Sequence, residues 1–190
     1  MKEKGNGKIG LIIVIAVLAI ALIGTITTYN GMVNASEKVE NASADIGTQL
    51  QRRADLIPNL VNAVKGYMDH ETEVINSITE SREKLINAGS LEEKAEANDA
   101  LTQALSNFNV IVENYPDLKS NTNFIQLQDE LAGTENRIAT ARRDYNDAVR
   151  SYNGIIKRIP GRFLAGMFGF EQADYFEARE GSEAVPTVEF

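Results

Sequence analysis

IGLIIVIAVLAIALIGTITT, residues 9–28, decides how the rest of the chain is read. It holds no charged residue, and uncharged sequence runs on to Ser36. At about 1.5 Å per residue this run reaches ~30 Å, the thickness of a hydrocarbon core. A single segment satisfies its backbone there only as a helix, because lipid offers an open amide no partner. The competing readings are a cleaved signal peptide and, behind it, a buried core helix. A signal h-region is shorter, roughly 7–15 residues, and ends at a small-x-small cleavage site. Here Ala19-Ile20-Ala21 lies inside the apolar run and is followed by Leu22-Ile23-Gly24, so a retained anchor is expected.

Upstream, residues 1–8 form a short basic tail with three lysines and one glutamate, net +2. The whole chain of 190 residues carries −8, which leaves −10 beyond the tail. After the anchor the next cation is Lys38. The positive-inside rule then puts the N-terminus in the cytoplasm and the main domain outside, in a single-pass cell-membrane protein. The acidic balance excludes nucleic acid as a partner, since that needs clustered positive charge. There is no Cys, so disulfides and thiolate metal sites are excluded.

Downstream, the anchor helix is expected to continue. Tyr29, Met32, Val39, Ile46 and Leu50 recur at near-heptad spacing, joined by Ala35 and Ala42. Ala21, Gly24, Thr28, Gly31 and Ala35 make a second face of small residues, which lets another membrane helix approach closely. That stripe points to self-association, although small residues are also common in anchors. The first helix is expected to end near Arg53. Asp55 can cap a second with Pro58 in its first turn, running to about Asn87 before Ala88-Gly89. Ser90 and Glu93 read as a capping box opening a third helix, closed by Pro116. A fourth runs from about Asn123 to Ile159. The fold class is therefore all-α. A transmembrane helix (9–28) continues into an antiparallel up-down four-helix bundle (29–160), followed by an apolar glycine-rich segment and an irregular acidic tail (161–190).

In that topology the fourth helix returns its end to the lipid. The sequence there is Lys157-Arg158-Ile159-Pro160-Gly161-Arg162-Phe163-Leu164-Ala165-Gly166-Met167-Phe168-Gly169-Phe170. Lys157, Arg158 and Arg162 beside Phe163, Leu164, Met167, Phe168 and Phe170 suit a membrane interface. A plug for the open end of the bundle suits the same composition, and both readings stand here. The chain ends Val185-Pro-Thr-Val-Glu-Phe190, which reads as a tail packed on its own bundle or a neighbour rather than a carboxylate ligand for a sheet edge.

Chemistry finds little support. His70, the only histidine, reads as a helix-surface residue, and no GxSxG, HExxH or Walker pattern occurs. No catalytic, cofactor-binding or metal-ligating residue is assigned, and no cofactor is expected. Tyr145-Asn146 and Tyr152-Asn153 stand one heptad apart, echoing Tyr29-Asn30. They are expected to form a polar layer fixing helix register, with a ligand pocket as the alternative. Arg52, Arg53, Arg142 and Arg143 are expected to pair with Asp55, Glu135 or Asp144.

QLQRRADLIPNLVNAVKGYMDHE, residues 49–71, resembles the most distinctive signature of the LemA family; it contains Arg52, Arg53, Asp55, Pro58 and Asn59. ARRDYNDAVRSYNGIIKRIP (141–160), GFEQADYFEA (169–178) and the VPTVEF ending extend the resemblance along nearly the whole chain. Ser43 stands where the family often has Trp, which puts in doubt a partner surface built on that ring. The resemblance implies a single-pass bacterial membrane protein with a helical bundle and no assigned reaction, in envelope organisation or stress response. It also implies membrane proteases among possible partners, and it admits a cytoplasmic bundle, against the charge-based orientation. The function expected is a membrane-anchored scaffold that forms a homo-oligomer and organises an envelope complex or the lipid bilayer. A membrane-anchored sensor with a ligand-binding bundle is the rival.

Overall fold

Lys4–Val64 form one helix, α1, in the computed structural model, which describes residues 4–68 and 71–176. The expected break near Arg53 is absent, for α1 runs straight through Pro58. A proline inside a helix deletes one amide donor and strands the carbonyl four residues back, here that of Ala54. Arg82 supplies the missing donor: its Nε reaches the Ala54 oxygen at 2.9 Å. The chain instead leaves the helix after Val64, whose carbonyl takes the amides of Tyr67 and Met68 at 2.9 and 3.1 Å. His70 and the Val185–Phe190 ending lie outside the described residues.

The remaining helices are α2 (Thr72–Asn87), α3 (Leu91–Val112), α4 (Pro116–Lys119), α5 (Thr122–Lys157) and α6 (Gly161–Phe168). The capping box is present as expected. Ser90 Oγ accepts from the Glu93 amide at 3.0 Å, and Glu93 Oε2 accepts from the Gly89 and Ser90 amides at 2.7 and 3.1 Å. Pro116 does more than end a helix: it sits at the start of the short α4, where its absent N–H costs nothing. The apolar glycine-rich segment after residue 160 opens with α6. Gly169 ends α6 in the left-handed region at φ 76°, letting the Phe170 amide reach back to Ala165 O at 3.0 Å. No strand occurs among the described residues, and the chain is all-α.

Two compact units divide the chain. One comprises Asn41–Asn146 with Phe176–Phe190. Its core takes Ile46, Leu50, Ala54, Ile57, Leu60 and Val64 from α1, at steps of three and four. Ile78 and Leu85 of α2, Leu101, Leu105 and Phe108 of α3, and Phe124, Leu131 and Ile138 of α5 complete it. Cross-helix contacts give the directions. Arg82, ten residues into α2, meets Ala54, ten residues before the end of α1. On α3 and α5, Asp99 faces Arg142 while Phe108 faces Phe124. The pairs α1 and α2, and α3 and α5, are therefore antiparallel.

The other unit comprises Met1–Glu40 and Asp147–Tyr175. Its core joins Met32 and Ala35 of α1, Tyr152 and Ile156 of α5, and Leu164 and Ala165 of α6. Burial of the four larger side chains contributes roughly 1.5–3 kcal/mol each. The same unit contains the apolar start of α1. There Ile9, Leu11, Ile12, Leu18, Ile20 and Leu22 are all exposed.

Candidate functional site

Three places gather polar side chains against the apolar background. The first lies where α1 leaves its apolar run. Residues 8–64 contain a stretch long and apolar enough to cross a membrane, none of it buried, which marks the chain as membrane-associated. Its last hydroxyls are satisfied inside the helix: Thr25, Thr27 and Thr28 donate to the carbonyls of Ala21, Ile23 and Gly24 at 2.9, 2.9 and 2.7 Å. Such back-bonding leaves these three hydroxyl donors satisfied within the helix. Of the small-residue stripe, Ala21 is exposed and Gly24, Thr28 and Gly31 are half-buried. Ala35 is already covered by the chain's own α5 and α6.

Beside Thr28 opens a cleft of about 430 Å³, lined also by Arg150, Ser151, Gly154, Arg158 and Gly161. Arg150 Nη1 holds Asp147 Oδ1 at 2.8 Å on the exposed rim. Gly161 closes the cleft because nothing larger fits: a Cβ there would fall on the Ile155 carbonyl oxygen. The expected interface segment splits into two faces. Leu164 turns inward, whereas Lys157, Arg158, Arg162, Phe163, Met167 and Phe168 are exposed and Phe170 is half-buried. Phe168 and Phe170 set their rings edge-on to Tyr29, with centroids 4.9 and 5.8 Å away.

The second place is an ionic cluster in the core that holds Ile46 to Ile138. Arg53, only 4% exposed, pairs with Glu135, and its Nη1 donates to Asn98 Oδ1 at 2.7 Å. Burial pulls the Arg53 guanidinium below its usual range, while Glu135 works the other way. Arg142 stacks over the Phe176 ring at 4.5 Å and faces Asp99 at 3.8 Å. Of the other signature residues, Arg52, Pro58 and Asn59 are exposed, and Asp55 accepts from Gln51 Nε2 at 2.8 Å. Arg53 thus carries the buried chemistry of that motif.

The third place overturns the expected polar layer. Asn153 Nδ2 donates to Ala173 O at 2.8 Å, and its Oδ1 accepts the Ala173 amide at 3.0 Å. Asn146 treats Phe176 identically, at 3.0 and 2.8 Å. Each asparagine therefore clasps one residue of the non-helical segment after α6, as a neighbouring strand would. Tyr152 Oη donates to Glu171 O at 2.7 Å; burial and the Glu171 charge push the phenol up from its ordinary value. Tyr145 is buried. A heptad is the repeat at which a helix can grip an extended chain twice. Seven helical residues and three extended ones both rise about 10 Å. The polar groups read as a register layer or a ligand pocket are thus occupied by the chain itself.

Arg82, Asn98 and Phe176 are the working residues that sequence reasoning missed. Asn98 had a signal: it falls in phase with Leu91, Leu101 and Leu105, so a polar group was bound for the core. Arg82 had none in its own neighbourhood; its signal is the carbonyl that Pro58 strands. Among the described residues no group of three or more metal-ligating side chains is assembled.

Comparison with known proteins gives one consistent answer. The model of the LemA family matches residues 42–190. Magnetosome protein MamQ 2 of Paramagnetospirillum magneticum is 28% identical, over 96% of this chain and 77% of its own. Magnetosome protein MamQ of Magnetospirillum gryphiswaldense is 24% identical, over 96% and 77%. Protein LemA of Metamycoplasma hominis is 28% identical, over 80% of this chain and 69% of its own.

Proposed function

This chain belongs to the LemA family, and from that premise we propose that it is a single-pass, membrane-anchored helical scaffold without catalysis. Copies associate through the start of the small-residue face of α1, at Ala21 and Gly24, and organise an envelope complex or the bilayer itself. The observation that carries this reading is the exposed apolar surface of α1, continuous with a helix that goes on to build a packed core. The lysines of the tail favour a cytoplasmic N-terminus and a bundle outside. Membrane proteases are among the envelope partners that the family resemblance implies. The similarity to magnetosome proteins fits work at a membrane-bound structure. Against the rival sensor reading stand the hydrogen bonds that already engage Asn146, Tyr152 and Asn153 with residues 171–176.

The absence of Cys from the chain supplies a clean test. Single cysteines at Ala21 or Gly24 are expected to form disulfide-linked dimers in native membranes. Cysteines at Ile20 and Leu22, off the stripe, are expected to remain monomeric. Equal cross-linking at all four positions would remove the stripe from the argument, and no cross-linking at any would remove self-association through α1.

A further inference from the structure

We infer that the cleft at Thr28, together with the outward face of α6, seats an anionic phospholipid of the bilayer that α1 crosses. Arg150 and Arg158 take its phosphate, and Ile159, Phe163 and Met167 enter the acyl boundary. The inference rests on reading α1 as a retained anchor.

Position comes first. Thr28 is the last residue of the apolar run and also lines the cleft. The cleft therefore lies at the depth where acyl chains meet headgroups. α6 packs on Met32 and Ala35, about 6–10 Å further along the α1 axis. That step places α6 in the headgroup layer, where an interfacial helix lies with its apolar face toward the acyl chains.

Composition agrees. Phe163 and Met167, one turn apart on α6, are 69% and 73% exposed, and Ile159 just before the helix is 76% exposed, while Leu164 and Ala165 fill the inner side. Left in water, each outward side chain forgoes much of its burial free energy; a lipid boundary recovers it. Charge agrees too. In a chain of net −8, residues 157–170 hold three cations and no carboxylate. Lys157, Arg158 and Arg162 make no ion pair among the described residues. The exposed Arg150–Asp147 pair is worth ~0–1 kcal/mol, so Arg150 can exchange it for a phosphate. Gly154, without a side chain, leaves the floor open, and about 430 Å³ accommodates a phosphoglycerol headgroup.

The chain lacks Trp, so Phe163→Trp in the full-length protein provides a single reporter. It is placed in nanodiscs of phosphatidylcholine with brominated acyl chains, with and without phosphatidylglycerol. Tryptophan emission is expected to be quenched by the bromines. Native mass spectrometry is expected to show phosphatidylglycerol retained over phosphatidylcholine. Arg150→Gln and Arg158→Gln, both at exposed residues, should each lower that preference about fivefold. Millimolar inorganic phosphate should displace nothing, because it lacks the acyl chains. Water-like, unquenched emission overturns the inference. So does quenching without a headgroup preference, or displacement by free phosphate. Emission shielded from both water and bromine would mean that a second copy covers α6, which also overturns it. Cross-linking through a cysteine at Ala21 in the same discs reports the scaffold separately. If that dimer persists while the tryptophan stays unquenched, only the lipid seat falls.

Discussion

The hydrogen bond from Arg82 to Ala54 is where α1 is most open to test. Pro58 denies the Ala54 carbonyl its helical partner, and Ala54 is wholly buried. Arg82→Met keeps most of the aliphatic stem but deletes the donor. A buried carbonyl left without a partner costs about 1–3 kcal/mol. In a Pro58→Ala background, residue 58 regains its amide and can close the ordinary bond to Ala54. There Arg82→Met should cost only a few tenths of a kcal/mol, as at an unremarkable surface site. The coupling energy between positions 58 and 82 is therefore expected to be about 1–2 kcal/mol. Amide exchange over residues 50–64, followed by mass spectrometry on the full chain in mild detergent, reads it directly. Arg82→Met should accelerate exchange there roughly 5–30-fold with Pro58 present and scarcely at all in the Pro58→Ala background. Equal acceleration in both backgrounds would refute the argument, and Arg82 would then act only through packing.

Two further outcomes follow from the same hydrogen bonds. Asn153→Ala and Asn146→Ala each remove an amide that makes two bonds, a loss of about 1–3 kcal/mol. The Ala173 amide should exchange faster in the first variant and the Phe176 amide in the second; unchanged exchange would show that packing alone holds the segment. The Gly89 and Ser90 amides hold the Glu93 carboxyl below its ordinary value. A depressed folded-state value stabilises α3 at all pH above the unfolded glutamate value, about 4.3, and that stabilisation is lost as pH falls through the folded value. The Gly89 and Ser90 amide shifts should titrate with a midpoint below about 4.3, and Glu93→Gln should abolish the titration; a midpoint at or above the ordinary value would contradict the cap.

Helix types and burial were legible because they depend on periodicity. Met32, Ile46 and Leu50, or Ile138, Tyr145, Val149 and Tyr152, lie at steps that only a helix turns to one side, and all are buried. The capping box was legible because its partners are three residues apart. The end of α1 was not. Local rules read Ile57-Pro58 as a boundary, since proline both lacks a donor and crowds the residue before it. The donor that removes the penalty is Arg82, 28 residues beyond the Ala54 carbonyl it serves, and no local window contains both.

The site separates in the same way, which bears on how the repeated Tyr-Asn pairs of such a chain should be read. Tyrosine and asparagine at 145–146 and 152–153 carry a heptad period, and a heptad ordinarily means one helix facing another. What they face here is non-helical chain, and nothing about the helix alone distinguishes the two clients. The distinguishing information lies in residues 169–176, which have no helical period of their own and pass from Gly169, at φ 76°, into non-helical backbone. Such a segment must find partners for its amides and carbonyls outside itself. The asparagine carboxamide, on a short stem, offers a donor and an acceptor side by side, in the arrangement of a peptide edge. A helix bearing asparagines a heptad apart, followed within some twenty residues by a chain without periodicity, therefore predicts a clasp rather than a register layer. In this protein the clasp on Ala173 belongs to the same compact unit as α6 and the exposed run of α1. The segment leaving α6 is thus tied back to α5, and Phe163 and Met167 stay exposed on the side of α6 that it does not cover.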